Sequence, residues 1–147
     1  MSSVSSFEEQ LSTHGRILYK NVGDSMMPFI KEGRDVLIIE KCEGVLKKYD
    51  VPLYKRPSGQ YVLHRIHKVT PEGYVLCGDN RIGFERYVTE DQIIGVLVGI
   101  KRGDKLIPRE SFLFKFYAHL GCDTYFLRYV IKKIVSLSGR IFKKKKS

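Results

Sequence analysis

Strand-forming segments separated by turn residues occupy the middle of this sequence. Six apolar, β-branched and aromatic runs are bounded by Gly, Pro, Asn or Asp, and they cover residues 15–22, 35–40, 50–56, 59–70, 73–79 and 92–102. The turns "RPSG" (56–59) and "TPEG" (70–73) combine a proline, which fixes φ, with a glycine, which tolerates positive φ. We therefore expect successive antiparallel strands over 50–78 and a mainly β fold.

Residues 111–147 have a different character. Their pattern predicts two helices, over about 112–120 and 124–137, and Phe126, Val130 and Ile134 recur at helical spacing in the second. Nine Lys and Arg stand against one Asp here, whereas residues 1–110 hold 17 against 15. A basic, amphipathic tail of this kind either packs on its own domain or lies on an anionic membrane surface. We do not expect nucleic acid as a partner.

The composition indicates one compact domain with two appendages. We assign 1–14 to an N-terminal lead, 15–110 to the domain, and 111–147 to an amphipathic basic helical tail. The lead lacks the basic and apolar pattern of a signal peptide, and the longest uncharged stretch of the tail, 116–122, is far shorter than the ~20 residues of a spanning helix. Three widely spaced cysteines favour a reducing compartment. The expected location is the cytoplasm or the cytoplasmic face of the membrane.

Three polar stretches interrupt the strand pattern and carry the candidate chemistry. They read "GDSMMP" (23–28), "HRIH" (64–67) and "CGDNRIGFER" (77–86). A nucleophilic serine needs a base within hydrogen-bond reach and a group that orients that base. Of the four histidines, His14 precedes the first strand and His119 lies in the tail, which leaves the pair at 64 and 67. In a strand, His64 shares a face with Val62 and Ile66, whereas His67 lies beside Arg65.

The three stretches together resemble the signal peptidase I family within the LexA/signal peptidase superfamily of serine proteases. The likeness consists of G-x-S-M-x-P, a strand start of the form G-x-D, an H-R pair on a later strand, and G-D-N followed by an acidic residue beside arginine. It covers residues 23–100. The histidine matches the archaeal and endoplasmic-reticulum type, because the bacterial type has lysine at that position. The resemblance implies a LexA/signal peptidase-like β-fold with a serine endopeptidase activity.

Carried onto this sequence, the resemblance assigns Ser25 as nucleophile and His64 as general base. Glu85, which is followed by Arg86, matches the third position of the triad, although it is Glu where the family has Asp, and Asp79 remains a rival. Gly23 stands where relatives often have a serine that stabilises the oxyanion.

The remaining expectations concern the turn and the substrate. Without a serine at position 23, the turn that holds Ser25 and Met26 offers backbone N–H groups only. Pro28 matches the family turn, and with Arg65 it is a candidate for substrate contact. An extended peptide would bind a strand edge near 21–25 or 61–65.

The resemblance implies no cofactor and no metal. The substrate would be a peptide or precursor of the signal- or leader-peptide type. Two other functions stay open at this point. One is a self-cleaving regulator of the LexA kind, although the residues before the first strand are too few for a helix-turn-helix module. The other is a non-catalytic peptide-binding domain with the same fold, which Gly23 and Glu85 make conceivable.

Overall fold

The computed structural model describes residues 5–20 and 22–145, with side chains described up to residue 139. Residues 1–4 of the lead and the side chains of the basic run 143–146 lie outside this description. The helices are α1 (Phe7–His14), α2 (Phe112–Asp123) and α3 (Tyr125–Lys145). The strands are β1 (Arg16–Lys20), β2 (Asp35–Lys41), β3 (Pro52–Lys55), β4 (Tyr61–Leu63), β5 (Arg65–Thr70), β6 (Gly73–Cys77), β7 (Glu85–Val88), β8 (Ile93–Arg102) and β9 (Lys105–Pro108).

The strands form two antiparallel sheets, so the mainly β prediction is confirmed. The larger sheet has the order β1-β2-β8-β3-β4, and β9 pairs with β8 beside this path. The smaller sheet has the order β5-β6-β7. Register shifts in β2, β3 and β5 mark bulges or irregularities, which bend antiparallel strands and increase their twist. β1 and β4 end the path of the larger sheet, and each pairs with one neighbour among the described strands.

The segment 59–70 was expected to be one strand and is two. It divides at His64, with β4 paired to β3 in the larger sheet and β5 paired to β6 in the smaller one. The antiparallel pairings that the two turns predict are present, but β4 and β5 belong to different sheets. His64 therefore lies at the crossover between the sheets. Two short strands, β7 and β9, fall in stretches that were not assigned as strands.

The apolar core has two parts, one for each side of the larger sheet. α1 closes the first part: Ser6 caps this helix with a full capping box, and Leu11 is buried. Phe114 of α2 enters the same cluster and meets Phe29 edge to face. The second cluster includes Tyr54, Ile66 and Leu76 and joins the two sheets.

The two C-terminal helices are attached to the body to different degrees. α2 buries Phe114, Ala118, Gly121 and Cys122, so the boundary at residue 110 does not separate it from the domain. α3 follows after Thr124 and leaves most of its described side chains accessible to solvent. Neither α3 nor another described helix combines the length and the apolar character required to cross a bilayer.

Candidate active site

One open cleft of about 510 Å³ brings together residues from all three polar stretches. Ser25, His64 and Glu85 line it, although 60 positions separate the first from the last in the sequence. Its walls include Tyr19 of β1 and Tyr61 of β4, the strands at the two ends of the larger sheet. Curling of this sheet therefore brings both of its edges to one groove. An extended chain in the groove would have unpaired strand edges beside it.

The turn that carries Ser25 is held by the loop 78–82. The Asn80 backbone N–H donates to the Ser25 carbonyl at 2.8 Å, and the Asn80 side-chain amide donates to the Asp24 carbonyl at 3.1 Å. Arg81 forms an ion pair of 2.6 Å with the Asp24 carboxylate. Within the described residues, the Ser25 hydroxyl forms no hydrogen bond. Its backbone is thus fixed while its Oγ is left for a substrate or a base.

Gly78 of the "GDN" segment lies at the point where this turn meets the histidine. A Cβ at this position would come within 2.6 Å of the Ser25 carbonyl oxygen and 3.2 Å of His64 Cδ2. Such an atom has no room unless the Ser25 backbone moves, so glycine is required for the close approach. Cδ2 neighbours Nε2 in the imidazole ring. The edge of His64 that carries Nε2 therefore lies toward Gly78 and the Ser25 turn.

His64 is half-buried and is kept neutral near pH 7. Burial is the largest influence on it and lowers its pKa to about 4, with Arg56 and Arg81 acting in the same direction. The negative charges of Glu85 and Asp79 oppose this shift. On its other edge, Nδ1 is 3.3 Å from the hydroxyl of Tyr54, which is fully buried. A tyrosine is thus the hydrogen-bond partner of the candidate base.

Glu85 approaches the histidine through this tyrosine. Partial burial acts to raise the pKa of Glu85, but the Arg56 guanidinium and the nearby Tyr54 hydroxyl outweigh it, and the pKa lies below its ordinary value. Arg56 Nε donates to Glu85 Oε1 at 2.9 Å, and Nη2 contacts the same oxygen. Burial, together with the charge of Glu85, raises the pKa of Tyr54 far above its usual range. The carboxyl group is therefore ionised and the phenol is protonated at neutral pH.

Asp79, the rival acid, is bound elsewhere. Its Oδ1 and Oδ2 each accept a hydrogen bond of 2.8 Å from Arg65, through Nε and Nη2 respectively. Arg65 also donates to the Tyr49 carbonyl, and Gly121 of α2 packs on the pair. Neither side chain lines the cleft. The expectation that Arg65 contacts substrate is corrected here, because α2 covers the face on which it lies and its exposure is 0%.

The remaining predicted positions divide between core and surface. Met26 is fully buried in the first core cluster, and Pro28 is exposed and follows a cis peptide bond. Neither residue lines the cleft. Gly23 does, with φ of 94°, and its N–H donates to Glu32 Oε2 at 2.9 Å. Of the predicted turn residues, Ser25 is therefore the one that has a reactive side chain and also lines the groove.

Sequence reasoning missed Tyr54 and Arg56, although the hairpin contains a signal for both. Tyr54 pairs with Val62 across the β3–β4 ladder, so His64 is a diagonal neighbour two residues beyond its partner. The "RPSG" turn therefore aligns Tyr54 with the histidine once its register is known. Arg56 follows β3 and reaches Glu85 at the start of β7, a contact between sheets that local patterns do not indicate.

Comparisons with known proteins do not assign the chain to a family. No protein-family model matches it, and no match is found among the curated proteins or the solved structures. The geometry of the cleft is therefore the basis on which a function can be argued.

Proposed function

We propose that this protein is a serine endopeptidase with a LexA/signal peptidase-like fold, in which Ser25 is the nucleophile and His64 the general base. One observation carries the proposal: Ser25, His64 and Glu85, which lie on three separate stretches of sequence, line the same cleft. The fixed Ser25 backbone and the neutral histidine in the same cleft support acyl transfer, in which the base takes the proton of the serine hydroxyl.

The direction of the hydrogen bonds at His64 follows from the charges around Tyr54. An ionised Glu85 carboxylate can only accept, and in the proposed arrangement the protonated Tyr54 hydroxyl is turned toward it. The Tyr54 oxygen then accepts a hydrogen bond from the N–H group at Nδ1 of His64. In a neutral imidazole this tautomer leaves the lone pair on Nε2, the nitrogen on the edge near Gly78. Glu85 thus acts on the base through Tyr54 and is a positioning residue.

The proposed reaction proceeds through an acyl-enzyme. Nε2 of His64 takes the Ser25 proton as Oγ bonds to the carbonyl carbon of the scissile peptide, and the carbonyl oxygen becomes an oxyanion. The oxyanion collapses, the C–N bond breaks, and the proton on Nε2 passes to the leaving amine. A water molecule then gives a proton to Nε2 as it attacks the acyl carbon. The bond between that carbon and Oγ breaks and the proton on Nε2 returns to Oγ, which releases a carboxylic acid and restores Ser25 and His64.

Two features of the site predict slow turnover. A histidine with a pKa of about 4 is neutral at working pH but is a weak base. In addition, Gly23 has no side-chain hydroxyl for the oxyanion, and its N–H is used by Glu32. Loss of one oxyanion donor typically costs about 3 kcal/mol of transition-state stabilisation. The proposed substrate, an extended signal- or leader-type peptide, would recover binding energy by pairing with the edges of β1 and β4.

The proposal is tested by incubating the wild-type protein with a mixture of unstructured peptides and identifying fragments by mass spectrometry. We expect cuts that disappear in both Ser25→Ala and His64→Ala, and the spectrum of the protein alone reports self-cleavage. Fragments that persist in Ser25→Ala would refute the assignment of the nucleophile. Peptide binding without cleavage by a folded wild-type protein would instead favour the non-catalytic domain.

A further inference from the structure

α3 is attached to the body through its polar side. Arg128 Nε donates to the Arg81 carbonyl at 2.9 Å, and Nη1 donates to the Gly121 carbonyl at 2.8 Å. Lys132 donates to both oxygens of Asn80, and the Tyr125 hydroxyl donates to the Ile82 carbonyl. Residues 125, 128 and 132 share one side of a helix. The contacts concentrate on the loop 78–82, the same loop that holds the Ser25 turn.

α3 also carries exposed apolar side chains, most of them away from its polar side, and we name this set the outer face. It consists of Phe126, Leu127, Ile131, Ile134, Val135 and Leu137. Phe126 is 77% exposed and Val135 is 64% exposed. An amphipathic helix of a globular protein normally turns its apolar side to the core. Here the orientation is reversed, and an exposed apolar surface of this kind indicates a partner or a lipid phase.

The charge of the region identifies which partner fits. Residues 111–147 carry nine Lys and Arg and one Asp, with "KKKK" at 143–146 near the end of the chain. Among the side chains described, Lys133 is exposed beside the outer face, and Phe112, Phe116 and Leu120 form a further exposed apolar row on α2. Apolar side chains flanked by lysines suit the interface of a bilayer, where anionic headgroups attract the cations. Because α3 is not apolar enough to cross, it would lie along the surface.

We propose that α3 binds the surface of an anionic phospholipid bilayer through its outer face. The polar side of α3 would still contact the loop 78–82, so the helix would connect the bilayer to this loop. The Asn80 N–H of the loop donates to the Ser25 carbonyl. Arg81 of the same loop lines the cleft. Membrane attachment therefore holds the cleft beside the bilayer, whatever reaction the cleft performs.

Flotation with vesicles tests this inference. We expect the wild type to bind vesicles of phosphatidylcholine with phosphatidylglycerol, and to bind pure phosphatidylcholine much more weakly. The double variant Ile131→Glu with Ile134→Glu should bind the anionic vesicles at least about tenfold more weakly, because it loses apolar insertion and gains like charge. The matched control is Val69→Glu with Leu106→Glu, which changes two exposed apolar residues outside α3 and should bind as the wild type does.

A spectroscopic readout does not depend on the charge-changing variants. The chain has no tryptophan, so Phe126→Trp places a single tryptophan on the outer face, and excitation at its red edge separates it from the nine tyrosines. Its emission should shift to the blue with anionic vesicles. Absence of binding by the wild type at low salt, or equal binding by the two glutamate variants when both are folded by circular dichroism, would overturn the proposal. So would a dimer in light scattering that dissociates in the outer-face variant and does not bind vesicles.

Discussion

Two of the arginine–carboxylate pairs close to the candidate site differ in their surroundings. Arg65 and Asp79 form a two-pronged pair with side chains only 0% and 4% exposed. Arg56 and Glu85 meet in the cleft, their side chains are about one-third exposed, and both contacts from Arg56 go to the same oxygen, Oε1. In the first pair both carboxylate oxygens are used by arginine. In the second pair, Arg56 contacts only Oε1 of Glu85 and does not contact Oε2.

The comparison teaches that burial, more than residue type, distinguishes a carboxylate that stabilises the fold, such as Asp79, from one that lies in the cleft, such as Glu85. α2 seals the Arg65–Asp79 pair, since a Cβ on Gly121 would come within 2.4 Å of Asp79 Oδ1. The Arg56–Glu85 pair instead faces the groove and contributes to the environment of Tyr54 and His64. Asp79 directly follows Gly78 of the "GDN" segment, but its side chain is buried under α2 and does not face the cleft.

The largest difference is expected in stability. Asp79→Asn leaves the charge of Arg65 buried without its counter-ion, and we expect it to lower the free energy of unfolding by about 3 to 5 kcal/mol. Glu85→Gln breaks a partly exposed pair and should lower it by less than about 1 kcal/mol. Urea unfolding of the two variants beside the wild type measures both values. Equal losses would show that the two pairs are not distinct in the way described.

Gly78 gives the next largest effect. Gly78→Ala puts a methyl group against the Ser25 carbonyl and the His64 ring, so we expect a loss of about 1 to 3 kcal/mol in stability and slower acylation of Ser25. The matched control is Gly83→Ala, because Gly83 also lines the cleft but has open space where its Cβ would be. An acylation rate that falls equally in both variants would argue against a specific contact at Gly78.

Tyr54 should have a smaller and purely kinetic effect. Tyr54→Phe keeps the buried ring but removes the hydroxyl between Glu85 and His64, and we expect Ser25 acylation to slow by about tenfold, or about 1.4 kcal/mol. Tyr61→Phe is the control, since Tyr61 lines the same cleft and its hydroxyl binds Glu8 instead. If the two variants react at the same rate, Tyr54 does not connect the acid to the base.

The smallest change is a displacement of the pH profile. Because the pKa of His64 is about 4, acylation should lose its base near that pH rather than near the ordinary value of about 6.5. Glu85 opposes the downward shift, so Glu85→Gln should move the midpoint to still lower pH. Rate measurements on protein verified as folded at each pH provide the test. A midpoint near 6.5, or an upward displacement in Glu85→Gln, would contradict the assignment.

Stability should follow the same titration. The pKa of His67 is also lowered to about 4, chiefly by burial. Unfolded histidines titrate near 6.5, so between about 6.5 and about 4 the unfolded chain binds protons that the folded chain does not. The free energy of unfolding should therefore fall as pH decreases through this interval. Unfolding curves at the two ends of the interval measure the loss.

The sequence was sufficient for those parts of the fold that local patterns determine. Alternation and turn residues located six of the strand regions, and helical spacing located α2 and α3. The division of 59–70 at His64 could not be predicted, because no turn residue interrupts the segment after Gly59 and only pairing with different partners separates β4 from β5. β7 was missed because "ERYV" is short and follows a run of turn residues.

Two cleft residues, those proposed as nucleophile and base, could be selected from the sequence, but their hydrogen-bond partners could not. Ser25 and His64 belong to recognisable motifs, and the structure brings both to the cleft. Arg65 and Asp79 are covered by α2, which belongs to the predicted tail 111–147, and the sequence left open whether that tail packs on the domain. Strand alternation shows which residues share a face, but it does not show what packs on that face.

The most direct measurement is the rate at which a fluorophosphonate acylates Ser25, followed by intact mass. We expect one adduct on the wild type, none on Ser25→Ala or His64→Ala, and an adduct that forms up to about tenfold more slowly on Glu85→Gln. Each variant is verified as folded by circular dichroism before reaction. A folded wild type that forms no adduct, or a Glu85→Gln variant that reacts at the wild-type rate, would contradict the account of the cleft given above.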